Sequence, residues 1–245
     1  MMIHVLAGDA LASAFKNTNI EGETIVCREC LIEGDVKAEN LDDFWRVRAA
    51  FISRTYGADE HAYLENVAGE LQKLEKFGAG DTINLWFEYE LFCQANMWFC
   101  LSLLETKNDF EIYRVAPIVR DETDLWKGFG GLGADELQKC FEQRIKLGKE
   151  DIELGKRLWQ AFCFRDLQSF RVLSETRSEC FPYLKEVCEA AIEIEVRPKN
   201  ALRKLVSDGE SDFNKIFETF ALEQGVYGYG DAQVRRILDK LRTEN

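Results

Sequence analysis

At 245 residues the chain is long enough for one large domain or two small ones, and a core of that size needs no disulfide or metal staple. Apolar residues make up 46% and charged residues 31%, which excludes a disordered tail, a collagen-like chain and a membrane bundle. With 31 Lys and Arg against 44 Asp and Glu the net charge is −13, so the surface as a whole repels polyphosphate and general nucleic-acid binding is disfavoured.

The start, MMIHVLAGDALASAF, has no basic n-region, and Asp9 interrupts its apolar run. It fits neither a secretory signal nor an Arg-rich transit peptide, and a cytoplasmic location is expected. Leu91 to Leu104, the most apolar stretch, is shorter than the about 20 residues that a bilayer needs and reads as a buried helix, so no membrane partner is expected. The eight cysteines are scattered, mostly within apolar helical patterns, where a reduced thiol acts as a small hydrophobe. Cys27 and Cys30 alone have a recognisable spacing. Cys27 ends an apparent strand instead of opening a helix, and no second pair or His partner accompanies it. Local spacing therefore assembles no metal site, and the sequence assigns no cofactor.

In chain order, Ile3 to Ala7 reads as a short apolar strand stopped by Gly8-Asp9, after which Leu11, Ala14 and Phe15 begin a helical period. Glu23 to Cys27 is a second strand, and the three elements together have the size of a βαβ unit. Asn40 can cap the next helix, with Asp42 and Asp43 in its first turn. Another helix carries Leu64, Val67, Ala68, Leu71 and Leu74 at spacings of three and four, and Gly78, Gly80 and Asp81 end it before the strand TINLWF. Leu91 to Glu105 is helical, and Glu111 to Val115 is a fourth strand, stopped by Pro117. Strands alternating with helices predict an α/β fold with a mostly parallel, Rossmann-like sheet of about four strands over residues 1–120.

After Pro117 the strand signal disappears. Residues 121–196 read as a helical region, with helices over Ala134–Gln143, Glu150–Cys163, Leu167–Leu173 and Pro182–Ile194. Residues 197–245 read as a C-terminal three-helix, helix-turn-helix-like module. From Arg197 onward there are nine Lys and Arg against eight Asp and Glu, only weakly basic for a recognition helix. DNA is disfavoured as its partner, against packing on its own chain or on a second copy in a homo-oligomer.

An open parallel sheet binds ligands beyond the carboxyl ends of its strands, where strand order reverses. If the first strand is central, that crevice lies between strand ends one and three. The polar residues beyond the strand ends are Gly8 and Asp9, Arg28 and Glu29, and Glu88 with Glu90. Asp9 could accept a ligand hydroxyl, act as a base or hold a divalent ion with Glu88, and Arg28 could clamp a phosphate or carboxylate in two-point fashion. A local reading competes, in which Asp9 caps the first helix, Arg28 pairs with Glu29 or Glu33, and Glu88 caps the helix at Leu91. His4 lies within a strand and is expected as a satisfied core histidine. Gly128 to Gly133 matches GxGxxG, but it trails Val115 by a dozen residues and an acidic stretch through Asp121, Glu122 and Asp124. It is expected to cap the Ala134 helix or cover a site, not to bind a dinucleotide. Trp86, Phe87, Tyr89, Phe92, Trp98 and Phe99 are expected in the core.

The segments IHVLAGDALASAF, IVCRECLIEGDV and LWFEYELFCQANMWFCL resemble the bacterial family called domain of unknown function 1835 over roughly residues 1–120. The ending GVYGYGDAQVRRILDKL is similar to the tail often attached to it. The matching parts are Gly8-Asp9, Arg28-Glu29 and Trp86-Phe87-Glu88. Cys27 departs from an expected bulky apolar residue, and Gly34-Asp35 from an expected Gly-Pro. The resemblance implies the fold and a site at the strand ends, and implies no reaction. The leading expectation is a protein that binds a small anionic or nucleotide-like ligand there, with hydrolase and transferase chemistry both open. The alternatives are a ligand-sensing regulator whose C-terminal module contacts DNA or a protein partner, and an interaction protein without a ligand.

Overall fold

A computed structural model describes residues 1–104, 110–121 and 124–243. Glu105 at the end of the expected Leu91–Glu105 helix, Glu122 in the acidic stretch and the last two residues lie outside them. The sheet has the order β2-β1-β3-β4-β5, formed by β1 (Met2–Ala7), β2 (Glu23–Cys27), β3 (Thr82–Trp86), β4 (Glu111–Val115) and β5 (Ile145–Lys146). The first four strands are parallel and in continuous register: Val5 lies beside both Ile25 and Leu85, and Leu85 beside Arg114. β5 pairs antiparallel with β4. It adds a fifth strand to the four expected, because two residues are too short to show a strand period.

Alternation along the strands sorts side chains onto two faces. Ile3, Val5, Ile83 and Leu85 join the larger core, and Leu6 and Trp86 a smaller one. α1 (Gly8–Phe15) and α6 (Ala134–Glu142) cover the smaller core with Leu11, Phe15, Leu137 and Cys140. The larger core is covered by α2 (Leu41–Tyr56), α5 (Leu91–Leu103), α7 (Lys149–Phe164), α8 (Leu167–Leu173) and α9 (Leu184–Glu193). Asn40 caps α2 by accepting from the Asp43 N–H at 2.9 Å. The helix expected to carry Leu64, Val67, Ala68, Leu71 and Leu74 is instead α3 (Glu60–Tyr63), a π-helical turn (Leu64–Ala68), α4 (Gly69–Leu71) and a 3-10 turn (Gln72–Lys76). α9 starts at Leu184, so Pro182 precedes it, whereas Pro198 does occupy the first turn of α10 (Arg197–Ser207).

α10, α11 (Phe213–Glu223) and α12 (Asp231–Thr243) surround a third core of Leu202, Ile216, Phe220, Val234, Leu238 and Leu241. All eight cysteines are free, and seven are buried. No helix among the described residues is long and apolar enough to cross a membrane. Trp86, Phe87, Trp98 and Phe99 are buried as expected. His4 is fully buried too: Trp86 Nε1–H donates to its Nδ1 at 3.0 Å, which leaves the proton on Nε2 to donate to the Glu21 carbonyl at 3.1 Å.

Candidate functional site

β1 lies between β2 and β3, so strand order reverses at β1, and the ends of β1 and β3 are where the topology rule places a ligand crevice. At the β1 and β2 ends, Arg28 clasps Asp9 in two-point fashion. Its Nε donates to Oδ1 at 2.9 Å and Oδ2 at 3.0 Å, and one terminal nitrogen, Nη2, reaches Oδ1 at 2.8 Å. The other terminal nitrogen donates to the Asn66 carbonyl, which the π-helical turn presents, at 3.2 Å. Both partners are solvent-exposed. Asp9 therefore does not cap α1: the helix starts at Gly8 after Ala7, and no side chain caps it.

Glu29 follows Arg28 and turns inward, with 2% exposure. Its Oε1 accepts from Arg48 Nε at 3.1 Å and from the Tyr63 hydroxyl, and its Oε2 accepts from Arg48 Nη2 and the Cys30 N–H, each at 2.8 Å. Arg48 also donates to the carbonyls of Cys30, Glu33 and Asp35 at 3.0, 2.6 and 3.4 Å. Burial works against the Arg48 charge and Glu29 more than offsets it, leaving the guanidinium proton held more tightly than usual. Asn96 of α5 donates to the Glu29 carbonyl at 2.8 Å. Glu29 is thus no ligand group. It organises the segment after β2, and the expected pairing of Arg28 with Glu29 or Glu33 is replaced by Arg28–Asp9, Arg48–Glu29 and Arg236–Glu33.

Glu88 sits in a different set of contacts. Its Oε1 accepts the Phe129 N–H at 2.6 Å, and the Cys93 thiol lies 3.8 Å from Oε2. No described hydrogen bond or ion pair joins it to Asp9 or Arg28. Glu90, not Glu88, caps α5, accepting the Cys93 N–H at 3.0 Å. Burial raises the proton affinity of both carboxyls, and for Glu90 the neighbouring Glu88 adds to it. The GxGxxG segment lies over this cluster. Phe129 is buried with its ring 5.8 Å from Trp86, and Gly133 precedes α6, its N–H donating to Glu136 at 3.0 Å. Phe129 thus packs into the small core on the α1/α6 side, whereas Asp9 and Arg28 are exposed.

Arg114 of β4 is buried beside Glu88. It lies between the rings of Tyr89 and Phe181, 5.0 and 5.8 Å from their centroids, and donates to the carbonyls of Cys180 and, at 3.5 Å, Glu88. Burial lowers its pKa to about 10. Both Cys27 and Cys30 are buried; burial pushes the Cys30 thiol up to about 12, and it faces Glu33, Tyr56 and Gln233. A low thiol pKa is what redox exchange requires.

Two cavities lie away from the switch point. One of about 310 Å³ is lined by Leu31, Ile32 and Val36 against α7 to α9, and one of about 410 Å³ by Tyr89, Arg114 and Tyr183. Neither includes Asp9, Arg28 or Glu88. Periodicity could not find Arg48 or Arg114 as partners of this region, because a charged residue within an apolar pattern carries no sign of what it meets across the fold. No family model, curated protein or solved structure matches the chain.

Proposed function

We propose that the protein binds a small ligand with a phosphate or carboxylate group at the open edge of the strand-end crevice, between the start of α1 and Arg28. The observation that carries this reading is the clasp itself. Arg28 already presents a two-point fork to a carboxylate at the place where the fold puts its ligands, and the uncapped start of α1 adds free N–H groups and the positive end of a helix dipole. An ion pair this exposed contributes at most about 1 kcal/mol, so a competing anion can take the place of Asp9 at small cost. The reading names an anion subsite and assigns no residue to catalysis, so hydrolase and transferase chemistry both remain compatible with it.

A thermal-shift titration with inorganic phosphate, nucleotides and sugar phosphates tests the proposal. Arg28→Ala is expected to remove the ligand-induced rise in Tm. Asp9→Asn is expected to tighten binding several-fold, by freeing the fork and removing a like charge, which at this exposure is worth about 1 kcal/mol. A shift unchanged in Arg28→Ala overturns the reading.

A regulatory role is favoured by a separate observation. The segment that holds Arg28 also holds α12: Arg236 pairs with Glu33 and meets Tyr56, and Gln233 donates to Tyr56 at 3.3 Å and to Cys30. In this reading the ligand biases the seating of the C-terminal helices, and a protein partner fits better than DNA, because Arg236 is engaged and Arg235 lies over the Phe213 ring at 3.5 Å.

A further inference from the structure

We propose that Glu88, Glu90 and Cys93 bind a divalent cation of the zinc class, with one coordination position left for an exchangeable ligand. One ligand atom from each residue lies within 4.8 Å of the other two. Tetrahedral zinc bonds of about 2.0–2.3 Å place ligand atoms closer together than that, so a small inward movement completes the set. Two carboxylate oxygens and one sulfur suit a borderline-soft ion. Magnesium and calcium prefer oxygen alone.

A second observation points to a missing partner. Glu90 is 4% exposed, and although its Oε1 caps α5, its Oε2 is buried and has no hydrogen-bond partner. An orphaned carboxylate oxygen is costly in a core and calls for a ligand. Two glycines close on the cluster from separate segments. Gly128 and Gly228 both have φ of +65°, and a Cβ on either would collide with Glu88 or Glu90 respectively. The carboxylates therefore lie in a cradle that two glycine positions keep open.

The charges also close. Two carboxylates and a thiolate carry −3, and the buried Arg114, which makes no described ion pair, supplies +1 beside them. A divalent ion brings the group to zero. The Cys93 thiol, hydrogen-bonded to Glu88, gives up its proton to solvent as the sulfur–metal bond forms. This goes beyond the anion subsite at Arg28 and does not depend on it.

The test uses the full chain, stripped with chelator and titrated with cobalt(II) alone in the presence of a non-thiol reductant. One equivalent should bind, with a thiolate-to-cobalt charge-transfer band in the near ultraviolet that zinc abolishes. Cys93→Ser should lose the band, and Cys30→Ser and Arg28→Ala should retain it. Glu90→Gln leaves the cap acceptor in place, so its fold is retained, and it should weaken cobalt uptake at least tenfold. No band in the unmodified protein, a band that persists in Cys93→Ser, or unweakened uptake by Glu90→Gln overturns the proposal.

Discussion

Arg48 and Glu29 show how a residue beyond a strand end can serve the fold instead of a ligand. Each is buried, and each would leave the other uncompensated if removed. Arg48→Met is therefore expected to cost about 3–5 kcal/mol, read from urea unfolding. Adding Glu29→Gln to that variant should recover part of the loss, because the stranded carboxylate disappears. His4 makes a pH-dependent contribution of the same kind. Burial, chiefly, and Arg144 hold its proton affinity below the usual 6.5, against the opposing Glu21 carbonyl. The unfolded chain takes up a proton below pH 6.5 that the native state refuses. Its contribution is therefore fully present above pH 6.5 and is lost as pH falls toward the lower native value, by at most about 1.4 kcal/mol per pH unit. His4→Gln should flatten the fall in stability between about pH 7.5 and about pH 5.5, measured against the unmodified chain by urea unfolding.

The glycine-rich segment before α6 does for an element what Arg48 does for a residue. It is pinned by one aromatic ring and one backbone hydrogen bond, Phe129 on Trp86 and its N–H on Glu88. Phe129→Ala is expected to cost about 3–5 kcal/mol and to open the segment to limited proteolysis between α5 and α6. Its glycines match a dinucleotide fingerprint in sequence, yet they cover a carboxylate after β3 instead of opening a helix after β1. What could be read from sequence is the part governed by local periodicity. β1 to β4 and the Asn40 cap follow from apolar runs and turn residues, whereas the order of the strands, with β1 between β2 and β3, could only be assumed. Contacts between distant residues escaped it. The switch of the α5 cap from Glu88 to Glu90 depends on where the chain leaves β3, and the inward turn of Glu29 depends on Arg48, nineteen residues away. The π-helical turn that supplies Asn66 to Arg28 leaves no sign in a three-and-four spacing.

Across the whole molecule, the segment from Arg28 to Val36 joins three things. Arg28 pairs with Asp9 at the exposed strand ends, Glu29 is locked to α2 and α5 through Arg48 and Asn96, and Glu33 holds α12 through Arg236. The Arg48–Glu29 lock is fully buried and the Arg28–Asp9 pair is exposed and individually weak, whereas the Arg236–Glu33 pair is mostly buried. The segment is thus held at its centre by the buried lock, and its far end contacts α12 through Glu33 and Arg236. If the anion subsite and α12 are coupled in this way, saturating phosphate should change amide hydrogen exchange in α12 as well as at the start of α1. Arg236→Ala, which should cost about 1–3 kcal/mol in stability because Glu33 and Tyr56 lose a partly buried partner, should retain the change at α1 and lose the one at α12. By reciprocity, releasing α12 must alter phosphate affinity by the same coupling free energy. Equal phosphate affinity in Arg236→Ala and the unmodified chain, with exchange in α12 insensitive to phosphate in both, would show that the segment only anchors the C-terminal helices and carries no signal between them and the crevice.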